Sequence, residues 1–177
     1  ELIKGSIMAL ASTYQPADVG FTHGDGMWLY DTAGKAYLDA LCGIAVTGLG
    51  HAHPEVTATI QAQSAKLLHT SNAFRILSQE VLAKKLAELT GMEEMFFCNS
   101  GSEANETAFK LARLYGHEQG VNTPSVIVMK NAFHGRTLAA LSATGNRKHQ
   151  AGFEPLVPGF VRAPYNDIEA LKTIAEN

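Results

Sequence analysis

Two short stretches of this 177-residue chain carry residue types that could do chemistry together. The first is Ser100-Gly101-Ser102. Two hydroxyls flank a glycine that lets the backbone come close to a ligand, and Glu103 follows Ser100 at the spacing of a capping box. If the triplet opens a helix, unpaired backbone N–H groups and the positive end of the helix dipole meet there, and both favour a dianionic phosphate. Charge-assisted hydrogen bonds of this kind contribute roughly 1.5–3 kcal/mol each. The second stretch is Asn131-Ala132-Phe133-His134-Gly135-Arg136. Phe133 offers a flat face to a planar aromatic ligand, an arrangement contributing about 0.5–1.5 kcal/mol beyond burial. Arg136 offers a planar fork for a carboxylate. His134 is expected to pack or hydrogen-bond beside the ligand ring, since no partner is visible that would orient it as a general base. Each feature alone has a plainer reading: a helix cap, a core phenylalanine, a solvated surface charge. Together they describe a site for a phosphorylated ring plus an amino or keto acid. Neither a P-loop nor a G-x-G-x-x-G pattern is formed, so a nucleoside triphosphate has no positive support.

Elements must bring these loops together. Met95–Cys98 is a short apolar run that predicts a buried strand ahead of the triplet. Ala104, Ala108, Leu111 and Tyr115 then recur as the inner face of a helix, which Gly116 or Gly120 can end. Val126–Met129 is apolar and β-branched, like a parallel strand covered by helices on both faces. The order strand, helix, strand predicts a βαβ unit, and ligands collect at the carboxyl ends of such strands. The two loops should therefore open at one edge, near each other. A further strand is predicted at Phe160–Ala163 and a helix from about Asp167. Upstream, residues 27–39 predict a hairpin turning at Asp31-Thr32-Ala33-Gly34. A glycine-rich stretch from Gly43 to Gly50 follows. Pro54 suits the first position of a helix running to about His69 on Val56, Ile60, Ser64 and Leu67. A second helix is predicted from Ser78 to Leu89, with Leu82, Leu86 and Leu89 on one face. His51-Ala52-His53 could suggest metal ligands, but without matching carboxylates or cysteines the pair reads as a loop and helix start, and no metal site is assigned.

Composition narrows the setting. Hydrophobic residues make up 46% and charged residues 18%, as in an ordinary globular protein rather than a disordered one. A net charge of -3 builds no basic field, so neither nucleic acid nor an anionic membrane surface is an expected partner. No apolar run is long enough to cross a bilayer, and Glu1–Leu10 lacks the pattern of a secretion signal. Cys42 and Cys98 sit among apolar neighbours, which predicts small buried thiols rather than a disulfide framework, and a cytoplasmic setting.

Taken in order, the motifs are recognisable. Asn99-Ser100-Gly101-Ser102-Glu103-Ala104-Asn105-Glu106 and Asn131-Ala132-Phe133-His134-Gly135-Arg136-Thr137 resemble the class III pyridoxal-phosphate aminotransferases. Gly43-Ile44-Ala45-Val46, Gly50-His51-Ala52-His53-Pro54 and His69-Thr70-Ser71-Asn72 are similar to the same family. The resemblance covers nearly the whole chain from about Ala11. It implies an α/β fold of type I: a mostly parallel sheet sandwiched by helices, with a small N-terminal α/β subdomain. Residues 1–70 would then contribute to the small domain and the dimer interface, and residues 71–177 would form the first part of the large cofactor-binding domain. The cofactor implied is pyridoxal 5'-phosphate, its phosphate held by Gly101 and Ser102 with Ser100 beside them. Phe133 would stack on its ring, with His134 adjacent, and Arg136 would pair with the substrate α-carboxylate.

The activity implied is transfer of an amino group between N-acetylornithine and 2-oxoglutarate in arginine biosynthesis, by a cytoplasmic homodimer. Ornithine, succinylornithine and 4-aminobutyrate are alternative donors, and a non-catalytic module that kept the fold is a further alternative. Transamination also needs a Schiff-base lysine. In the family it follows a Ser-x-x-Lys-type stretch, after an Asp-Glu-Val-Gln-like segment whose Asp pairs with the ring nitrogen. Lysines from Lys35 to Lys172 lie in none of these contexts. The chain is therefore expected to be the N-terminal part of a longer enzyme, inactive by itself and with no catalytic residue of its own.

Overall fold

The computed structural model describes residues 10–176; Glu1–Ala9, where the absence of a secretion signal was read, and Asn177 lie outside the described residues. The chain divides into two compact units, Glu1–Leu77 and Ser78–Asn177.

The first unit is built on an antiparallel sheet of three strands, β1 (Phe21–Asp25), β2 (Trp28–Asp31) and β3 (Ala36–Leu38), in that order. The hairpin read at residues 27–39 is present, with Trp28 opposite Leu38 and Tyr30 opposite Ala36. Its turn closes because the Asp31 carboxylate accepts from the N–H groups of Ala33 (2.8 Å) and Lys35 (2.9 Å), the local bonding that makes Asp a turn former. Strand β1 was not foreseen. Its second half, His23-Gly24-Asp25, carries little apolar alternation, and pairing with β2 rather than propensity creates it.

After β3 the chain enters α1 (Cys42–Ala45), one turn in which Cys42, Gly43, Ile44 and Ala45 all have φ between 46° and 64°. Pro54 does open a helix, α2 (Pro54–Ser64), but it stops short of His69. Past Ser64 the bonds tighten, with Lys66 N–H donating to Gln63 O, and Leu67 and Leu68 stay 54% and 84% exposed, so no packing extends the helix. The helix α3 (Leu77–Thr90) matches its predicted span within a residue at each end.

The second unit holds the core. Helix α4 (Gly101–Glu118) starts where the capping box placed it. Ser100 Oγ accepts from Glu103 N–H (3.2 Å), and Glu103 Oε2 accepts from Asn99 N–H (2.8 Å). The expected strand at Met95–Cys98 does not form, because no neighbouring strand among the described residues supplies its ladder; Met95 and Phe97 are half-buried while Phe96 points out. The expected inner face of α4 is also wrong. Ala104, Ala108, Leu111 and Tyr115 are exposed, and the helix turns Asn105, Glu106, Phe109 and Arg113 inward instead. Polar partners set that choice: Asn105 Nδ2 donates to His134 O (2.8 Å) and Arg113 donates to Pro158 O.

Strands β4 (Val126–Met129) and β5 (Phe160–Ala163) pair in parallel, Val126 with Phe160 through Met129 with Ala163. Helices α5 (Leu138–Ala143) and α6 (Arg147–Gln150) lie in the crossover between them. The βαβ unit is thus one element further along than predicted. Strand β4 is covered well on one face only: Val128 is buried while Ile127 is partly exposed. Phe109 packs edge-on to Phe160 at 4.9 Å and, with Val128, Ala140 and Ala143, forms the core. The helix α7 (Ile168–Glu176) follows, with Asp167 Oδ1 accepting from Ala170 N–H at its start.

Candidate active site

The loop after β4 and the start of α4 enclose one cleft of about 650 Å3, lined by Gly101, Ser102, Asn105 and Phe133 to Thr137. Five of the six residues singled out from sequence, Gly101, Ser102, Phe133, His134 and Arg136, line it together. Ser100 does not; its hydroxyl is committed to Glu103, donating to Oε2 (3.1 Å) while accepting from the N–H. The predicted proximity of the two loops therefore holds although the strand expected before the first of them is missing. What positions that loop is the capping box and not a ladder.

Each wall has a local cause. In α4 the N–H groups of Glu103 and Ala104 are taken by Ser100 Oγ and Ser100 O. Those of Gly101 and Ser102, at the first helical positions, have no carbonyl one turn earlier to receive them. They and the helix dipole make this end of the cleft favourable to an anion. Hydrogen bonds from the Asn99 side chain, then the Asn99 N–H and Ser100, hold the Glu103 carboxyl below its ordinary range, so it stays ionised as the cap requires.

The opposite wall turns sharply. Asn131 has φ 65°, Ala132 N–H donates to Met129 O, and Gly145 N–H donates to Ala132 O. Phe133 is 63% exposed, leaving its ring free to meet a flat ligand, and the Arg136 guanidinium carbon stands 5.7 Å from the ring centre. Gly135, at φ 134°, is where only a glycine fits: a Cβ there would collide with the Ser102 side chain and come within 3.1 Å of Ala140.

His134 is fixed by its backbone. Its N–H donates to Thr144 Oγ1 (3.0 Å) and its carbonyl accepts from Asn105. Burial, and next the positive charge of Arg162, push the imidazole below its ordinary value, so the ring is neutral at pH 7. Its Nδ1 is buried and has no hydrogen-bond partner among the described residues. The loop rests on the end of α5, where buried Gln150 donates through Nε2 to the carbonyls of Leu141, Ser142 and Thr144 and Arg162 donates to two of the same groups.

Sequence reading missed Asn105, Glu106 and Thr137 as site residues. Thr137 Oγ1 lies 2.9 Å from Ser102 Oγ and donates to Glu106 Oε1 at 2.5 Å. The available signal was helical spacing, because Ser102, Asn105, Glu106 and Phe109 fall on one face of α4.

In the first unit, His51 is tied to its neighbours. His51 Nε2 meets Asp39 Oδ2 at 2.6 Å, and His51 exchanges two backbone hydrogen bonds with Gly26. His53 precedes Pro54 at the start of α2. Of the two cysteines expected to be buried, Cys42 is half-buried and Cys98 exposed, its Sγ 3.4 Å from Ser100 O, at the end of the segment where the expected strand does not form. No described helix is long and apolar enough to cross a membrane.

This arrangement can hold an anion at a helix start, a planar ring beside a phenyl face and a carboxylate at a guanidinium. Residues 9–177 match the family pattern described as aminotransferase class-III, and the chain belongs to that family. Among curated relatives, the acetylornithine aminotransferase of Nitrosomonas europaea is 58% identical over 166 residues, which cover 94% of this chain and 42% of that protein. The chain thus spans less than half the length of this relative. Among solved structures, the ornithine aminotransferase of Toxoplasma gondii ME49 superposes with a TM-score of 0.90 at 30% identity, covering 96% of this chain and 41% of that one. The acetylornithine aminotransferase of Elizabethkingia anophelis superposes with a TM-score of 0.75 at 32% identity, covering 94% and 38%. The fold is the α/β fold of type I pyridoxal-phosphate transferases, present in part.

Proposed function

We propose that the complete protein containing this chain transfers an amino group between N-acetylornithine and 2-oxoglutarate, using pyridoxal 5'-phosphate. The observation that carries the proposal is the single cleft in which the start of α4 stands beside Phe133 and Arg136. In this reading Gly101 and Ser102 hold the cofactor phosphate through the free N–H groups of the first helical turn and the Ser102 hydroxyl. Ser100 supports them by capping the helix that presents those groups. Phe133 lies flat against the ring, and His134, neutral and held by Thr144 and Asn105, closes the space beside it. Arg136 receives the substrate α-carboxylate in its fork. When bound, the cofactor would supply an electron sink that stabilises charge developing at the carbon bearing the transferred amine, which in N-acetylornithine is the side-chain terminus because its α-nitrogen is acylated. The residues of this chain orient it, exclude water from the ring face and anchor the carboxylate.

The choice of N-acetylornithine follows the 58% identity with the acetylornithine aminotransferase of Nitrosomonas europaea; the solved ornithine and acetylornithine enzymes, at 30% and 32% identity, do not separate the two donors by identity. The higher TM-score of the Toxoplasma ornithine aminotransferase supports ornithine as the second reading. We extend the proposal to a cytoplasmic homodimer serving arginine biosynthesis, in which residues 1–70 join the small domain and the dimer interface and residues 71–177 begin the large domain.

The test is a substrate panel on the complete protein. Added pyridoxal phosphate is expected to give a bound-cofactor absorbance band, and N-acetylornithine to be consumed only when 2-oxoglutarate is present. Faster turnover of ornithine selects the second reading; no band and no turnover overturn both.

A further inference from the structure

Glu106 makes two hydrogen bonds that no local feature of its helix requires. Its Oε1 accepts from Thr137 Oγ1 (2.5 Å) and from Ala140 N–H (3.2 Å), 31 and 34 residues away. Ala140 is completely buried in the first turns of α5, and Thr137 is the residue immediately before that helix. One carboxylate oxygen therefore ties α4 to both the start of α5 and the end of the loop carrying Phe133 and Arg136. Thr137 in turn stands 2.9 Å from Ser102.

The direction of each bond follows from inventory. A carboxylate only accepts, so the one hydrogen of Thr137 Oγ1 is on Glu106. The contact between the two hydroxyls then has Ser102 as donor. Rotation about the Ser102 Cβ–Oγ bond is enough to carry that hydrogen to an anion oxygen, and the Thr137 N–H, 3.4 Å from Ser102 Oγ, still holds the oxygen in place. Without Glu106, Thr137 Oγ1 has a free hydrogen and no fixed rotamer, and the wall that sets Ser102 loses its support.

We propose that Glu106 is a positioning residue for the anion end of the cleft: acting through Thr137, it sets the Ser102 hydroxyl and the Phe133–Thr137 loop for a phosphate monoester. The inference rests on reading the cleft as the cofactor site. It concerns binding, not turnover.

The experiment measures, on the complete protein freed of cofactor, the affinities for pyridoxal phosphate and for pyridoxal by fluorescence titration. The ratio of the two isolates the phosphate contribution. Glu106→Ala and Thr137→Val are each expected to lower that ratio about tenfold, the loss of one hydrogen bond to a charged group. The double variant should lower it little further, because both act on one chain of contacts. Glu106→Gln, which keeps an acceptor oxygen at the same place, should stay within about threefold of the parent. Thr137→Val removes one hydroxyl from an exposed residue, so it answers the question even if Glu106→Ala does not fold. An unchanged ratio in Thr137→Val, or equal losses for pyridoxal and its phosphate, overturns the inference while leaving the site reading intact. A parent protein that does not prefer the phosphorylated form overturns the site reading itself, and the inference with it.

Discussion

The two compact units cohere by different means. In the second, Phe109, Val128, Ala140 and Ala143 are each at most 7% exposed and form one cluster beside a parallel strand pair, and Leu141 and Ala163 are as well buried. In the first, no described residue is fully buried; Ile44 and Val46 are 81% and 80% exposed. Polar and backbone bonds hold its shape. Asp39 accepts from the N–H groups of Leu41 and Cys42 and from the His51 ring, and Asp31 closes the hairpin. Cys42, Ile44, Ala45 and Ala52 stand at positive φ, a conformation costing non-glycine residues on the order of 1–3 kcal/mol each. One unit is packed, and the other is pinned. Their sensitivities should differ accordingly.

The largest expected effect comes from packing. Leu141 is 3% exposed, and Leu141→Ala should destabilise the second unit by roughly 2–5 kcal/mol. Ile44→Ala, on a side chain already in solvent, should change stability by less than about 0.5 kcal/mol. Denaturant unfolding of the 177-residue chain, in which the Ile44 side chain is 81% exposed, read with hydrogen exchange in each unit, makes the comparison. Equal losses for the two variants would break the contrast. Next is Gly135→Ala, which forces a side chain into the Ser102 wall at a φ of 134°. It should lower stability by about 1–3 kcal/mol and weaken cofactor retention in equilibrium dialysis, since the displaced atom lies in the cleft. Full retention of cofactor would mean that Ser102 is not where the ligand sits.

How much of this was legible follows the same division. The capping box at Ser100 and Glu103, the hairpin turn at Asp31 and the β4 and β5 strands were readable, because each is decided by residues close in sequence. The inward face of α4 was not. Its apolar spacing favoured Ala104, Ala108, Leu111 and Tyr115, but Asn105 and Glu106 find partners about thirty residues away and turn the helix the other way. The strand at Met95–Cys98 failed for a related reason: a ladder depends on a neighbour that local residues do not specify. At the site, Gly101, Ser102, Phe133, His134 and Arg136 were found because their side chains have obvious chemistry. Thr137 and Glu106 were missed because theirs appears only once two distant segments meet.

The smallest expected effects separate the units by pH. His134 is held below its ordinary value of 6.5 by burial and then by Arg162. In the unfolded chain it takes up a proton near 6.5, whereas the folded protein resists until a lower pH. Its neutral form therefore contributes stability above 6.5, and that contribution is lost as pH falls through the lowered folded value. Asp39 acts in a lower window. Its carboxyl is held below 3.8, first by the His51 hydrogen bond and then by the Cys42 N–H, so its contribution is present above 3.8 and lost as pH falls through its own depressed value. On acidification, amide protection around His134 should weaken before protection around the Asp39 turn, as followed by hydrogen exchange between pH 7 and pH 3. His134→Gln should abolish the first change and Asp39→Asn the second. If Asp39→Asn instead removed the change that begins just below 6.5, the loop after β3 would not be pinned by its carboxylate, and the division between a packed unit and a pinned one would have no basis.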